Sequence, residues 1–207
     1  MKGVCELSVV PMRLETSDRS EMVNQLLMGE TYDVMEIQEK WVKIKLHHDH
    51  YEGWIDKKQF HPMLSENTTS KTPLPYPEIR SNQFFPAGCF LENLSNSKKW
   101  NSIEDCAKSF LLTPYLWGGR THAGIDCSGF TQMVYRLMGF NIPRDASQQI
   151  NMEGAQLLNF VSEARPGDLA YFENSEGKII HVGMILSVYD QFAEIIHASG
   201  EVRIDQL

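Results

Sequence analysis

Prolines at positions 62, 73, 75, 77 and 86 punctuate residues 61 to 97, a stretch otherwise rich in Ser, Thr and Asn. Proline removes a backbone donor and pushes its predecessor toward extended backbone, so no long helix or strand can cross this stretch. The chain on each side must build its own core. Residues 1–62 are expected to form one domain, residues 98–207 another, and residues 63–97 a linker packing across both. With 207 residues and 42% hydrophobic content, two small cores are within reach.

The first half reads as short strands: Val4 to Val10, Thr31 to Gln38, Trp41 to Leu46 and Tyr51 to Ile55. Val42, Ile44 and Leu46 alternate with Lys43 and Lys45, the pattern of a half-buried strand, and Glu39-Lys40 supplies a turn. A small β-barrel is the expected outcome. His47, His48 and His50 crowd one turn. A structural zinc site needs four ligands in fixed geometry, so the expectation is a solvated hairpin tip and no metal.

In the second half, Ile103, Ala107, Phe110 and Leu111 share one side of a helix expected from about Ser97 to Leu112, closed by Pro114. Phe130, Val134, Leu137 and Met138 form the apolar stripe of a second helix that begins at Cys127 and ends before Gly139. Asp145 and Gln148 have capping-box spacing. Strands from Asp168 to Phe172, Ile179 to Ser187, Phe192 to Ala198 and Val202 to Ile204 complete an antiparallel meander packed on the cysteine helix. The expected fold class is α+β.

Cys127 stands between Asp126 and Ser128, polar neighbours that suit a turn better than a core. A helix start offers unpaired N–H groups and the positive end of the dipole, which favour a thiolate and can hold an oxyanion. Asp126 itself reads as a helix-start residue, and Trp117 as a brace for the Gly118-Gly119 turn. Gly118, Gly119, Gly124 and Gly129 would let the backbone approach a substrate. His181 and His197, each on a strand-like segment, supply two imidazoles downstream of the thiol, which is a catalytic order, although a buried small cysteine and a core histidine would read the same way.

A formal charge of −8 argues against nucleic acid as a partner. No run approaches the ~18 apolar residues of a membrane span, and no signal-peptide pattern precedes the first strand. Cys5, Cys89, Cys106 and Cys127 form no Cys-x-x-Cys pair, so neither a zinc ribbon nor a redox motif is indicated, and a reducing, cytoplasmic setting fits. A leader removed from the chain would instead make the protein secreted.

Tyr115-Leu116-Trp117-Gly118-Gly119, Asp126-Cys127-Ser128-Gly129-Phe130, Pro143-Arg144-Asp145, Pro166-Gly167-Asp168-Leu169, His181-Val182-Gly183 and Ile196-His197-Ala198-Ser199-Gly200 resemble, in that order, the NlpC family of papain-like cysteine peptidases. Tyr51-Glu52-Gly53-Trp54-Ile55 is similar to the last strand of bacterial SH3-like domains. The resemblance implies an SH3-like β-barrel followed by a papain-like domain of helices on an antiparallel sheet, with no cofactor. It implies cleavage of the γ-D-glutamyl to L-diamino-acid bond, such as that to diaminopimelate, in murein tripeptides or tetrapeptides during recycling. Cys127 would be the nucleophile, His181 its base, His197 the orienting residue and Tyr115 an oxyanion donor. Asp145 would bind the free amino group of an N-terminal L-Ala, Tyr51 would close the same pocket, and Ser128 and Arg144 would line the substrate side. The rival readings are a secreted wall hydrolase whose barrel binds peptidoglycan, a thiol-dependent acyl or amide transferase, and a binding module with a decayed site.

Overall fold

The computed structural model describes residues 1–63, 73–80, 82–91 and 100–207. The chain divides into two units, Met1–Lys99 with Trp117–Thr121, and Trp100–Leu116 with His122–Leu207. Parts of the expected linker, residues 64–72, 81 and 92–97, and the expected helix start at residues 97–99, lie outside the described residues.

The first unit is built on β1 (Lys2–Val4), β2 (Val9–Arg13), β3 (Met22–Leu27), β4 (Thr31–Ile37), β5 (Trp41–Leu46) and β6 (Glu52–Asp56). They form one antiparallel sheet in the order β1-β4-β5-β6-β2-β3, an SH3-like arrangement. Its core comprises Cys5, Val10, Met12, Leu26, Tyr32, Val42, Ile44, Leu46 and Ile55. Val42, Ile44 and Leu46 are buried while Trp41, Lys43 and Lys45 are half-buried, as the alternation requires.

Two expectations need correction. Val4 to Val10 is not one strand: Cys5 N–H donates to the Glu30 carbonyl and the Cys5 carbonyl accepts from Gly29 N–H, so the chain turns there and β2 begins at Val9. Strand β3 was not expected because Asn24 and Gln25, both buried, interrupt any apolar alternation. Their burial has a partner to justify it. Gln25 Oε1 accepts from the Arg120 backbone N–H at 2.7 Å, and Arg120 Nη1 donates to the Gln25 carbonyl at 2.8 Å.

The described part of residues 63–97 belongs to the first unit. It contains a short hairpin, β7 (Glu78–Arg80) with β8 (Gln83–Phe85), and Leu74 N–H donates to the Cys89 carbonyl at 2.8 Å. Residues Trp117–Thr121, including β9 (Arg120–Thr121), also pack in this unit. Arg120 Nη2 donates to Glu30 Oε1 at 3.0 Å, both side chains being fully buried, and the Trp117 indole donates to Glu21 Oε1 at 2.5 Å. Gly118 has φ +75, and a Cβ there would collide with the Met22 carbonyl. This glycine therefore admits protein backbone, not substrate.

The three histidines of the turn diverge. His47 Nδ1 meets Thr31 Oγ1 at 2.8 Å, whereas His48 turns inward to Glu30 (3.7 Å) and Asp49 (3.2 Å). The tip is thus only partly solvated, because two buried carboxylates draw His48 in. Among the described residues, no group of three or more His, Cys, Asp or Glu side chains is arranged to hold a metal ion.

The second unit contains α1 (Ile103–Lys108), β10 (Gly124–Ile125), α2 (Cys127–Leu137) and α3 (Ala146–Gln149). Strands β11 (Leu169–Glu173), β12 (Ile179–Val188), β13 (Ala193–Ser199) and β14 (Glu201–Gln206) form an antiparallel meander in chain order. Helix α2 packs on β12 and β13. Phe130, Met133 and Val134 of α2 are fully buried, as are Val182, Met184, Ile196 and Ala198 of the sheet.

Helix α1 is shorter than its apolar pattern suggests. Ser102 caps its start by accepting from Asp105 N–H at 3.1 Å, but the Ser109 hydroxyl takes the Cys106 carbonyl at 2.7 Å and Leu112 adopts φ +65. The chain then pairs with β14 through Leu112 N–H to the Val202 carbonyl. The helix therefore ends before Pro114 can act, and Leu111 is exposed.

Candidate active site

The start of α2 is held from several directions. Asp126 is its N-cap in extended conformation, and its Oδ1 accepts from Gly129 N–H at 2.6 Å. Arg144 grips that carboxylate with both terminal nitrogens, Nη2 to Oδ2 at 2.6 Å and Nη1 to Oδ1 at 2.9 Å, and Nη1 also donates to Ser128 Oγ at 2.9 Å. The guanidinium is almost fully buried. Gln149 of α3 donates to the Ser128 and Pro143 carbonyls (3.0 and 2.9 Å) and accepts from the Thr131 hydroxyl (2.8 Å). Arg144 and Ser128, expected on the substrate side, thus have these polar atoms engaged in building the first turn of α2.

That turn presents Cys127, whose residue is 7% exposed. Burial first, and the Asp126 carboxylate second, push its thiol above the ordinary value. Hydrogen bonding from the backbone of Val182 and Ser128, with the Arg144 charge, pulls the other way. His181 is lowered, by burial first and by His197 second. Both shifts oppose a thiolate–imidazolium pair, whereas the start of α2 favours the thiolate.

His181 lies near the start of β12, opposite Phe172, and the backbone of the adjacent Val182 bonds the Cys127 sulfur. His181 Nε2 is 2.7 Å from His197 Nδ1, with the rings nearly perpendicular. His197 is itself buried on β13. The approach needs Gly183, since a Cβ there would sit 3.1 Å from His197 Cβ. Beyond His197, Asp205 Oδ2 lies 2.9 Å from Nε2, and Arg203 donates to the same oxygen from Nε (2.9 Å) and Nη2 (2.6 Å).

Asp205 and Arg203 were absent from the sequence reading, which ended the last strand at Ile204. A signal existed. The turn at Gly200 sets the register Ser199↔Glu201, which puts Arg203 opposite His197 and Asp205 one same-face step further along β14.

Tyr115 is anchored by its N–H to the Gly200 carbonyl at 2.8 Å. Burial first, then the Cys127 and Asp126 charges, raise its hydroxyl to about 12, so at neutral pH it remains a donor. Asp145 is half-buried at the N-cap of α3, where Gln148 Oε1 reaches back to its N–H at 3.4 Å. Tyr51 lies in the first unit, packed against that unit's core, with its N–H on Asp49 Oδ1 at 3.0 Å. Cys127, His181, His197 and Tyr115 therefore share one unit, with a nucleophile, an imidazole line and a hydroxyl donor suited to acyl transfer.

Comparison with known proteins agrees with this chemistry. Residues 112–207 match the NlpC/P60 family, and residues 13–60 match the bacterial dipeptidyl-peptidase SH3 domain. A gamma-D-glutamyl-L-lysine dipeptidyl-peptidase of Bacillus cereus is 25% identical over 84% of this chain and 67% of its own length. The Bacillus subtilis protein of the same name is 44% identical over 42% of this chain and 30% of its own length. The probable endopeptidase NlpC of Escherichia coli is 37% identical over 47% of this chain, which spans 60% of that relative. A solved NlpC/P60 family protein from Bacillus cereus shares the fold, with TM-score 0.71 at 20% identity over 99% of this chain and 94% of that one. The chain carries an NlpC/P60 cysteine-peptidase domain over residues 112–207, preceded by a bacterial dipeptidyl-peptidase SH3 domain over residues 13–60.

Proposed function

We propose that this peptidase hydrolyses the bond between γ-D-glutamate and an L-diamino acid in peptidoglycan peptides that begin with a free L-Ala, acting in the recycling of cell-wall peptides in the cytoplasm. The observation that carries the reading is the hydrogen-bonded pair His181–His197, adjoining Cys127 through Val182 at a helix start. The names of the Bacillus relatives support a γ-D-glutamyl substrate. Cys127 attacks the carbonyl as its proton passes to His181, and the Tyr115 hydroxyl donates to the oxyanion. The leaving amine takes the proton back, and water then opens the thioester.

The ammonium group of L-Ala is assigned to Asp145, and the Tyr51 role rests on the resemblance of its motif. The test is mass spectrometry and kcat/KM on L-Ala-γ-D-Glu-L-Lys and L-Ala-γ-D-Glu-diaminopimelate, each with and without N-acetylation. Losing one charge-assisted hydrogen bond costs about 1.5–3 kcal/mol, so acetylation should lower kcat/KM by roughly ten- to a hundredfold. Asp145→Asn should narrow that gap, and Tyr51→Ala tests the second residue on the same peptides. Comparable rates on free and acetylated peptides would overturn the free-amine requirement, and products joined to an added amine would replace hydrolysis by transfer.

A further inference from the structure

The hydrogen-bond line that begins at His181 has a fixed direction, and its far end sets it. An ionised carboxylate only accepts, and a neutral imidazole carries one N–H. Arg203 donates from two nitrogens to Asp205 Oδ2, the same oxygen that faces His197 Nε2 at 2.9 Å. His197 must therefore hold its hydrogen on Nε2. Its Nδ1 is then an acceptor, so across the 2.7 Å contact His181 donates from Nε2. This leaves the lone pair of His181 on Nδ1.

We propose that Asp205 is a positioning residue of the peptidase site, locking the tautomers of His197 and His181 so that His181 Nδ1 is the base that takes the Cys127 proton. The inference rests on the reading of His181 as the base. In the step itself the S–H bond breaks as the S–C bond forms, and the proton goes to Nδ1. The resulting imidazolium still donates from Nε2 to His197, so no donor and acceptor in the line has to exchange roles. The Asp205 carboxyl is held below the usual carboxylate range, by the His197 hydrogen bond first and Arg203 second, so it stays ionised wherever the enzyme would work. Without Asp205, His197 could hold its hydrogen on Nδ1, and His181 would then present an N–H to the thiol instead of a lone pair.

The two halves of this claim separate in Asp205→Asn and Asp205→Leu. Because Arg203 and His197 address one oxygen, an amide oxygen can replace it and keep the order, whereas leucine leaves no acceptor. Ring 15N shifts of the unliganded protein, followed to alkaline pH, report each tautomer. Wild type and Asp205→Asn should show both rings protonated on Nε2, with kcat on the tripeptide within about threefold of each other. Asp205→Leu should show mixed tautomers and a kcat lower by about tenfold at unchanged KM. A wild-type spectrum with His197 protonated on Nδ1 overturns the proposal, as does Asp205→Leu with wild-type ring shifts and turnover. Wild-type protein that leaves the tripeptide intact counts against the proposed substrate, while its ring shifts still decide the tautomer.

Discussion

Replacing Glu30 by Ala should be the most damaging single change in the first unit outside its apolar core. Its carboxylate meets Arg120 at 3.0 Å with both side chains fully buried, and its Oε2 also accepts from Leu27 N–H at 2.7 Å. Breaking a buried ion pair by removing one partner costs about 3–5 kcal/mol, because the other charge stays buried without it. Here Asp49 feels the Arg120 charge and offers a second carboxylate, which argues for the lower end of that range. The orphaned Leu27 N–H adds about 1 kcal/mol or more. A loss near 4 kcal/mol follows, a large share of the ~5–15 kcal/mol that holds a typical domain folded. Amide hydrogen exchange of β3 and β4 under increasing urea reads it directly. Pairing Glu30→Leu with Arg120→Met should recover most of the loss, since apolar side chains of similar volume can replace a buried pair at little cost. A loss below about 1 kcal/mol in Glu30→Ala, or a double variant as unstable as the sum of the singles, would refute the reasoning.

Alkylation by iodoacetamide should reach Cys127 before Cys5 or Cys106, whose thiols burial raises to about 12, but with a pH midpoint above that of a free thiol. Peptide mapping across pH checks this, and a midpoint below the free-thiol value would show the helix start outweighing burial. His122, stacked on Phe110 at 3.9 Å, is lowered to about 4 by burial, which outweighs a backbone hydrogen bond at Ser109. Between its unfolded value near 6.5 and that lower value, the unfolded chain binds the extra proton, so stability is lost as pH falls through this window, by up to about 3 kcal/mol. His181, also lowered, contributes in the same direction. His122→Phe should flatten the fall in denaturation measurements over that window, and an unchanged slope would rule His122 out as its source.

Sequence patterns that depend on one face being apolar were readable. Helix α2 and strands β5, β12 and β13 lie close to where the sequence puts them, β5 by its alternation and β12 and β13 as apolar runs buried on both faces. Patterns that depend on distant polar partners were not. Strand β3 hides behind two buried amides, and the inward turn of His48 answers Glu30 and Asp49. Asp205 belongs to the same class: its relation to His197 exists only once the Gly200 hairpin sets a register. The candidate site was legible in its reacting groups because their motif is local. Their protonation was not, since desolvation depends on the whole fold.

That protonation constrains how the site can work. Burial raises the Cys127 thiol and lowers His181, so charge must be stabilised as it develops. The nearest permanent charges are Asp126, which opposes a thiolate, and Arg144, which favours one. They are bound to each other at 2.6 Å, so each opposes the other's effect on the sulfur, with that of Asp126 the larger. What remains directional is the backbone: the N–H groups of Ser128 and Val182 bond the sulfur, and the open end of α2 points the same way. The Asp126–Arg144 pair is then chiefly mechanical, fixing the turn that aims those donors. Arg144→Met should accordingly disturb the start of α2 and lower kcat more than it shifts the pH at which Cys127 alkylates. The reverse ranking, a large shift in alkylation pH with kcat preserved, would make the pair an electrostatic device instead.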